Sequence, residues 1–380
     1  MAAPAESLAV DRPHATLATP TAATGRAVKI AVVSYGLPRP GFKRGGIERV
    51  AHDLSEGLAR RGHDVTVFSH DPLPPHATYK VLPLPWRQFV ETWAGRRLTM
   101  GYLGHVLSAL PPFGDAEVVI AHGDSLLLPL RRRPVIRVMH GSALEEARTA
   151  TSVGRRVLQL GVYGLELLTA LTPQRCVGVS QNTTLSNPLV KRVIPNGVDL
   201  TVFHPDAAER SDRPIIVFVG ALTGRKRGAW LVREFVDHIK PHVPDAELHM
   251  VSHSGETVPG VVFHTGLADA ELAALYRRAW VYASPSTYEG FGLPYVEAMA
   301  CGVPVVATPN PGSLEVLGGG QYGRVVDDAV FSETVVHLLR DQQVRTSLVR
   351  TGLARAADYD LERTLDEYER LVRALVTAHG

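Results

Sequence analysis

Two glutamates eight positions apart, Glu289 and Glu297, could do chemistry in this sequence. They bracket a junction between a loop and a helix, because Gly290 and Gly292 follow the first glutamate and Pro294 suits a first helical turn. Unpaired amides at a helix N-terminus, approached closely where glycine lacks a side chain, suit a phosphate or the hydroxyls of a sugar. Glu289 is predicted in the loop and Glu297 about one turn into the helix. The two carboxylates can therefore serve different parts of one ligand; the alternative is a capped helix with a solvated acid.

Three consecutive cations, Arg225, Lys226 and Arg227, form a second candidate group. They follow the apolar run 215–220, which ends in Gly220 and predicts a buried strand. Cations just beyond the carboxyl end of a strand in an α/β protein favour phosphate binding, and the alternative is a solvated surface.

Further candidates lie in the first half of the chain. Gly45, Gly46 and Glu48 lie between the first predicted strand and the first predicted helix, where the glycines indicate either a ligand-covering loop or a tight turn. His140 directly follows a predicted strand, and so does His122. A strand-end position favours a functional role for His140, whereas for His122 packing is an equal alternative.

The elements that must position these residues alternate between short β-branched runs and segments of helical periodicity, which predicts an α/β protein with two doubly wound, Rossmann-like sheets. We expect a flexible tail over 1–27, a first lobe over 28–200, a second lobe over 201–360 and a last helix over 361–380 that returns to the first lobe. The predicted strands lie at 29–34, 65–68, 118–121, 135–139, 176–179, 192–194, 215–220, 248–251, 261–264, 281–283 and 304–307.

Composition narrows the function classes. The chain has 380 residues, with 40 Lys and Arg against 38 Asp and Glu, too even a balance for an electrostatic grip on nucleic acid. Residues 1–190 are the more basic half, with 21 basic and 14 acidic side chains. Two cysteines, Cys176 and Cys301, give neither a disulfide framework nor zinc-ligand spacing, which favours a cytoplasmic protein. No sufficiently long apolar run predicts a membrane span.

The segment from Arg155 to Leu171 is strongly apolar after its two arginines. We predict a helix that faces the core of the first lobe; the alternative is a helix that leans on a membrane.

The stretch around the two glutamates closely resembles retaining, nucleotide-sugar-dependent glycosyltransferases with the GT-B fold, of glycosyltransferase group 1 or family 4. Their motif of Glu, seven residues and Glu is met by Glu289 and Glu297, with Pro294, Glu-Ala-Met-Ala and Gly-x-Pro-Val-Val in place. The similarity extends over about residues 28–375.

This resemblance implies roles for the candidate residues. Glu297 is expected to bind the ribose hydroxyls of the donor, Glu289 to lie beside the donor sugar, and Lys226 to hold the leaving diphosphate. Amides of the remaining loop residues are expected on sugar or phosphate: Phe291, Gly292 and Leu293. Gly45 and Gly46 are expected to close over the diphosphate, with Glu48, His122 and His140 on the acceptor side and His140 near the reacting sugar.

Two segments depart from the family pattern. Relatives usually carry an arginine where this chain has Ala221, so either Arg225 or Arg227 is expected to restore the charge. The segment 252–255 replaces a usual Gly-x-Gly, which leaves the contacts to the base open.

The residues and this resemblance together predict a retaining glycosyltransferase without cofactor or metal. It is expected to move a sugar from a nucleoside diphosphate sugar, UDP favoured over GDP, to a hydroxyl or amine of a small natural product, a polysaccharide or a lipid-linked acceptor. Membrane contact is expected to be peripheral at most. The alternatives are a nucleotide-sugar epimerase or hydrolase of the same fold and a dinucleotide-dependent dehydrogenase. The dehydrogenase is disfavoured because no Gly-x-Gly-x-x-Gly follows the first strand.

Overall fold

The chain folds into two α/β lobes that face each other across a cleft. The computed structural model describes residues 26–39, 45–84, 108–123, 125–150, 152–253 and 255–379. Nearly all of the predicted tail, 1–25, lies outside these residues. Each lobe contains one fully parallel sheet, so the prediction of two doubly wound sheets is confirmed.

The sheet of the first lobe has seven strands in the order β3-β2-β1-β4-β5-β6-β7. Its central strands β4 and β5 are buried along their whole length, as their β-branched sequences predict. The strands are β1 (Lys29–Val33), β2 (Asp64–Ser69), β3 (Lys80–Pro83), β4 (Val118–His122), β5 (Val135–Met139), β6 (Arg175–Gly178) and β7 (Arg192–Val193). The edge strand β3 is an addition to the predicted set.

Four helices accompany this sheet in the described ranges. The first buries Val50, Ala51, Leu54 and Leu58 and ends before Gly62, whose φ of +88° is one that glycine adopts easily. The helices are α1 (Gly46–Arg60), α2 (Ala143–Arg148), α3 (Val153–Ala170) and α4 (Gln181–Ser186).

The sheet of the second lobe has six strands in the order β10-β9-β8-β11-β12-β13. They are β8 (Ile215–Val219), β9 (Glu247–Val251), β10 (Val261–His264), β11 (Val281–Ser284), β12 (Val305–Ala307) and β13 (Arg324–Val325). The two-residue strand β13 is again absent from the sequence prediction, because so short a pairing leaves no periodic pattern.

The helices of the second lobe pack around this sheet and include a π-helical turn, Phe235–Ile239. They are α5 (Gly228–Glu234), α6 (Asp269–Arg278), α7 (Leu293–Ala300), α8 (Pro311–Val316), α9 (Asp328–Arg340) and α10 (Gln342–Ala356).

The chain passes between the lobes twice, and the two passages lie side by side. At the first, Val198 donates its amide to Tyr359 O at 2.8 Å; at the second, Leu361 N donates to Val198 O at 3.0 Å. The last helix, α11 (Leu361–His379), then runs along the first lobe. A Cβ on Gly57 of α1 would overlap Leu365 of α11, so glycine permits the two helices to approach closely.

Helix α3 differs from its prediction. The sequence predicts a helix that faces the core of the first lobe, yet of its eighteen residues, all of them described, only Thr169 is buried. The prediction is wrong because α3 covers the edge of the cleft rather than the sheet, so a hydrophobic sequence lies with one face in solvent. In the described part of the chain, none of the helices combines the length and apolar character that a membrane span requires.

Candidate active site

A cavity of about 930 Å³ opens between the two lobes. It lies beyond the carboxyl ends of several strands, where open α/β sheets bind their ligands. Every site residue predicted from the sequence lines this cavity: Gly45, Gly46, Glu48, His122, His140, Arg225, Lys226, Glu289, Phe291, Gly292, Leu293 and Glu297. The structure thus brings the predicted residues together, while their individual roles remain predictions.

The loop before α7 supplies the floor of the cavity. Gly292 forms the N-cap of α7 with a φ of +98°, and Pro294 lies in the first turn. A Cβ on Gly290 would overlap the carbonyl oxygen of His140 in the opposite lobe. Glycine is therefore required at 290 for close approach of the lobes and at 292 for backbone conformation.

Glu289 is a buried carboxylate between two cations. Arg225 Nη1 donates to its Oε2 at 2.9 Å, and Lys226 Nζ lies 2.5 Å from its Oε1. Burial alone would raise the pKa of the Glu289 carboxyl, but the charges of Lys226 and Arg225 outweigh burial and leave this pKa below its ordinary value. Glu289 is ionised at neutral pH, and its two cations face the cavity.

The side chains of the two arginines point in different directions. Arg225 lines the cavity and also donates to Tyr288 O at 2.5 Å. Arg227 instead forms a bidentate ion pair with Asp328, at 2.9 and 2.6 Å, and lies over the ring of Trp230. Arg225 is therefore the cation that accompanies Lys226 where Ala221 provides none.

Glu297, on α7, is buried and engaged from both sides. Arg49 Nη1 of α1 donates to its Oε1 at 2.5 Å, and Tyr276 Oη of α6 donates to its Oε2 at 3.1 Å. Burial raises the pKa of the Glu297 carboxyl above its ordinary value, and the neighbouring Arg49 only partly offsets this. Arg49 belongs to the first lobe, so this ion pair joins the lobes across the cavity.

Arg49 is a site residue that the sequence prediction missed. Its guanidinium lies 3.6 Å from Asp53 and 3.9 Å from Asp269, and over the ring of Phe203. Arg49 lies on the side of α1 opposite its apolar stripe, so no local pattern in the sequence marks it as a site residue.

The glycine loop of the first lobe is shaped by Glu48. A Cβ on Gly45 would overlap the Glu48 carboxylate, which folds back over the loop, and a Cβ on Gly36 would lie 2.8 Å from Glu48 Cγ. Gly46 has open space in the direction of its missing side chain. At Gly46 the backbone itself is therefore open to the cavity.

His122 and His140 form a stacked pair at the ends of β4 and β5. Nδ1 of His122 lies 2.9 Å from Nε2 of His140, and the ring centroids are 5.1 Å apart. Burial lowers the pKa of His140 to about 4, and burial together with His140 lowers the pKa of His122 well below its ordinary value. Both rings are neutral at pH 7 and so offer hydrogen bonds without charge.

The first-lobe wall contains residues that the sequence prediction did not select. Glu166 of α3 accepts a hydrogen bond from the amide of Ala143 at 3.2 Å, and Gln159 donates to Glu146 at 3.0 Å. With the apolar Leu158 and Val162, these side chains line the cavity. They appear in the sequence only as parts of an apolar segment, so no local motif marks them.

At the other end of the cavity lie Ser252, His253 and His264. His264 Nε2 is 3.0 Å from Nδ1 of His249, which in turn lies 3.2 Å from Glu247 through its other ring nitrogen. In the segment 252–255, whose contacts to the base the sequence leaves open, Ser254 lies outside the described residues. Within the described ranges, no group of three or more His, Cys, Asp or Glu side chains is placed to hold a metal ion.

Two family descriptions match the two lobes. Residues 44–202 match glycosyltransferase family 4, and residues 213–341 match glycosyl transferases group 1.

Individual proteins are similar over most of the chain. A phosphatidyl-myo-inositol mannosyltransferase of Propionibacterium freudenreichii is 28% identical, with 87% of this chain and 90% of that protein covered. A GDP-mannose-dependent alpha-(1-6)-phosphatidylinositol monomannoside mannosyltransferase of Mycolicibacterium smegmatis is 35% identical over 35% of this chain and 42% of its own. The solved sucrose-phosphate synthase of Thermosynechococcus elongatus superposes with a TM-score of 0.76 at 22% identity, covering 93% of this chain and 100% of that one. That last likeness concerns the fold.

Proposed function

The chain belongs to the glycosyltransferases of the GT-B fold, and on that premise we propose that it moves a hexosyl group from a nucleoside diphosphate sugar to an acceptor hydroxyl with retention of anomeric configuration. The observation that carries this proposal is the pair of cations, Arg225 and Lys226, that faces the cavity beside the N-terminus of α7.

The donor diphosphate lies against these cations in our proposal. A diphosphate oxygen can take the place that Glu289 now holds at Lys226, and the amides of Gly292 and Leu293 provide uncharged donors at the positive end of a helix dipole. Cations fixed in a buried site stabilise the charge that develops on a leaving diphosphate more strongly than water does. In this proposal Arg225 and Lys226 stabilise the negative charge of the leaving diphosphate.

The reaction breaks the bond between the anomeric carbon and the phosphate oxygen and forms a bond from that carbon to the acceptor oxygen. The acceptor hydroxyl loses its proton to the departing phosphate oxygen on the same face of the sugar, which retains the configuration. The neutral His140 imidazole supplies a hydrogen bond to the sugar beside the reacting carbon. Glu289 balances the cations and lies next to the donor sugar.

The nucleoside is proposed to reach Glu297, whose carboxylate suits two ribose hydroxyls. That carboxylate is shared with Arg49 and Tyr276. Donor binding therefore replaces or rearranges the Arg49 contact, and closure of the two lobes is coupled to the nucleoside.

For the donor we propose GDP-mannose first, since the two relatives named above are mannosyltransferases and one of them is GDP-mannose-dependent. The UDP-sugar that the sequence analysis favours is the competing donor. For the acceptor we propose a lipid that carries a phosphoinositol head group, on the same ground of the relatives' names.

The test incubates the full chain with GDP-mannose or UDP-glucose, with and without phosphatidylinositol in detergent, and measures nucleoside diphosphate release and the mannolipid product. Acceptor-dependent release from GDP-mannose, abolished by Lys226→Ala, is the expected result. Nucleoside diphosphate release that does not depend on the acceptor would indicate a hydrolase. Reaction with UDP-glucose but not with GDP-mannose would show that the donor is a UDP-sugar. NMR of the product anomeric proton checks retention.

A further inference from the structure

The outward face of helix α3 is a continuous apolar stripe in solvent. Val153, Val157, Leu160, Leu168 and Leu171 lie on one side of the helix and are 46% to 78% exposed. Their spacing of three, four or eight residues keeps them in line over about 27 Å at the helical rise of 1.5 Å per residue. Exposed apolar area of this extent marks an interaction surface rather than ordinary solvent contact.

Helix α4 extends the stripe on one side. Leu185 is 81% exposed, and its neighbour Ser186 accepts a hydrogen bond from Tyr163 Oη of α3 at 2.7 Å. The contact fixes α4 beside α3, so Leu185 adds to the same surface.

The turn Leu128–Arg131 extends it at the other end. Leu130 is 74% exposed, and Ser125, just before the turn, donates to Gln174 Oε1 at 2.9 Å. Gln174 in turn donates to the carbonyl of Thr169 near the end of α3. These contacts hold the segment that precedes Leu130 beside the last turn of α3. We call the apolar residues of α3 with Leu130 and Leu185 the outer face.

Arginines border the outer face. Arg156 lies in the first turn of α3 beside the stripe, and Arg131 and Arg132 follow Leu130; all three are exposed. Arg155 lies instead on the cavity side of α3, 3.8 Å from Glu146, which lines the cavity. Apolar side chains bordered by cations complement a bilayer of anionic phospholipids, whose surface attracts basic residues and whose acyl boundary accepts the apolar ones.

The opposite face of the same helix lines the cavity. Leu158, Gln159, Val162 and Glu166 point to the cleft, half a helical turn from the outer face. One helix therefore separates the reaction site from the outer face. An acceptor whose head group enters the cavity could keep its acyl chains beyond the helix.

We propose that the outer face docks on the surface of an anionic phospholipid bilayer and so presents the cavity to a lipid acceptor. The part that concerns the acceptor rests on the proposed function, whereas docking itself stands on exposure and charge. The chain then acts at the membrane without a spanning helix.

The experiment is sedimentation of the full chain with vesicles of phosphatidylcholine alone or with about one third phosphatidylglycerol. We expect binding to the anionic vesicles, and its weakening when NaCl rises from about 0.1 M to about 1 M, since the Debye length falls from about 10 Å to about 3 Å. Equal sedimentation with both vesicles at both salt concentrations, or none, would overturn the proposal.

Variants assign the binding to the outer face. Val157→Glu/Leu160→Glu and Arg132→Glu/Arg156→Glu should each reduce the bound fraction at limiting lipid at least about tenfold. The matched control is Val236→Glu/Val330→Glu, which changes two partly exposed apolar residues of the second lobe and should bind like the wild type. If the control variant lost vesicle binding and the outer-face variants kept it, the assignment to the outer face would be contradicted.

Two further measurements test whether something other than a bilayer covers the outer face. Light scattering that shows a dimer in the wild type and a monomer in Val157→Glu/Leu160→Glu would make the outer face a self-association surface. A Tm well below that of the control would mean that the chain itself covers the stripe. Either result overturns the proposal.

Stabilisation by GDP or UDP is measured in parallel on the same proteins. If a nucleotide raises Tm but vesicles do not bind, docking alone fails; if vesicles bind but no nucleotide raises Tm, the proposed function fails.

Discussion

Arg49 and Glu297 come from different lobes and meet in a buried ion pair, with Nη1 and Oε1 2.5 Å apart. The pair lies where the nucleoside of the donor is proposed to bind. A ligand that reaches Glu297 therefore meets a carboxylate that already has a partner, so donor affinity and the contact between the lobes depend on each other.

Replacing Arg49 by methionine should destabilise the free protein. It leaves the Glu297 carboxylate buried with Tyr276 as its remaining described hydrogen-bond donor, and breaking a buried pair costs about 3 kcal/mol. Urea unfolding measures the loss. The double variant Arg49→Met/Glu297→Gln should recover much of it, and a double variant as unstable as the sum of the single ones would show that the two residues do not interact.

The two glutamates should fail in different ways. Glu297→Ala should mainly weaken donor binding, because its carboxylate is proposed to hold the ribose. Glu289→Ala should mainly lower turnover, because it lies between the cations at the diphosphate. Calorimetric Kd for the nucleoside diphosphate and kcat under donor saturation separate these effects; identical changes in both variants would refute the division of roles.

Lys226→Ala should lower kcat/KM by about 100-fold or more, in the range seen when a preorganised charge-stabilising group is removed. Arg227→Ala is the matched control, since this neighbouring cation pairs with Asp328 away from the cavity. Equal losses in the two variants would mean that the reaction depends on the general positive charge of the segment rather than on Lys226.

The stability of the protein should fall as pH decreases from about 6.5 to about 4. Burial holds the pKa of His140 at about 4, below its unfolded value of about 6.5, so the unfolded chain binds more protons in this window. Stability linked to this group is present above the unfolded pKa and is lost as pH falls toward the folded one. His140→Gln should flatten the dependence of the urea midpoint on pH, leaving the part due to His122. An unchanged slope would show that His140 does not contribute.

Gly290→Ala should impair lobe closure, because its Cβ would overlap the His140 carbonyl oxygen in the other lobe. We expect a lower kcat and also a changed Kd for the nucleoside diphosphate, because donor affinity and the contact between the lobes are coupled. Gly154→Ala, at a glycine with open space around its missing side chain, is the control. A normal kcat for Gly290→Ala would show that the lobes need not approach this closely.

The parts of the fold that could be predicted are those with strong local patterns. Buried parallel strands such as β4 and β5 are continuous apolar runs, and Gly62 marks the end of α1. The strand β3 and the two-residue β13 were missed, because an exposed edge strand and a very short pairing carry little hydrophobic signal. The prediction for α3 failed for another reason: apolar periodicity predicts a helix with an apolar side, but it does not show whether that side faces the core or the solvent.

The residues of the candidate site also fall into two groups: those that a sequence motif selects and those that only the structure identifies. The glutamate pair, the glycines and Lys226 occur in compact motifs, so the sequence alone selects them. Arg49 does not, because its function depends on a partner 248 residues away that only the packing of the lobes brings near. The preference for Arg225 over Arg227 likewise depends on the direction of two side chains that are adjacent in the chain.

The paired passages at Val198 and Leu361 restrict how the lobes can move. Two backbone segments joined by hydrogen bonds cannot rotate independently, whereas a single linker can. We therefore expect the two segments to act together as one hinge. Motion between the lobes is then expected to be rotation about a single hinge axis. We expect such a hinge to bring the same residues of the two lobes together at each closure, so that the site forms with the same alignment in every catalytic cycle.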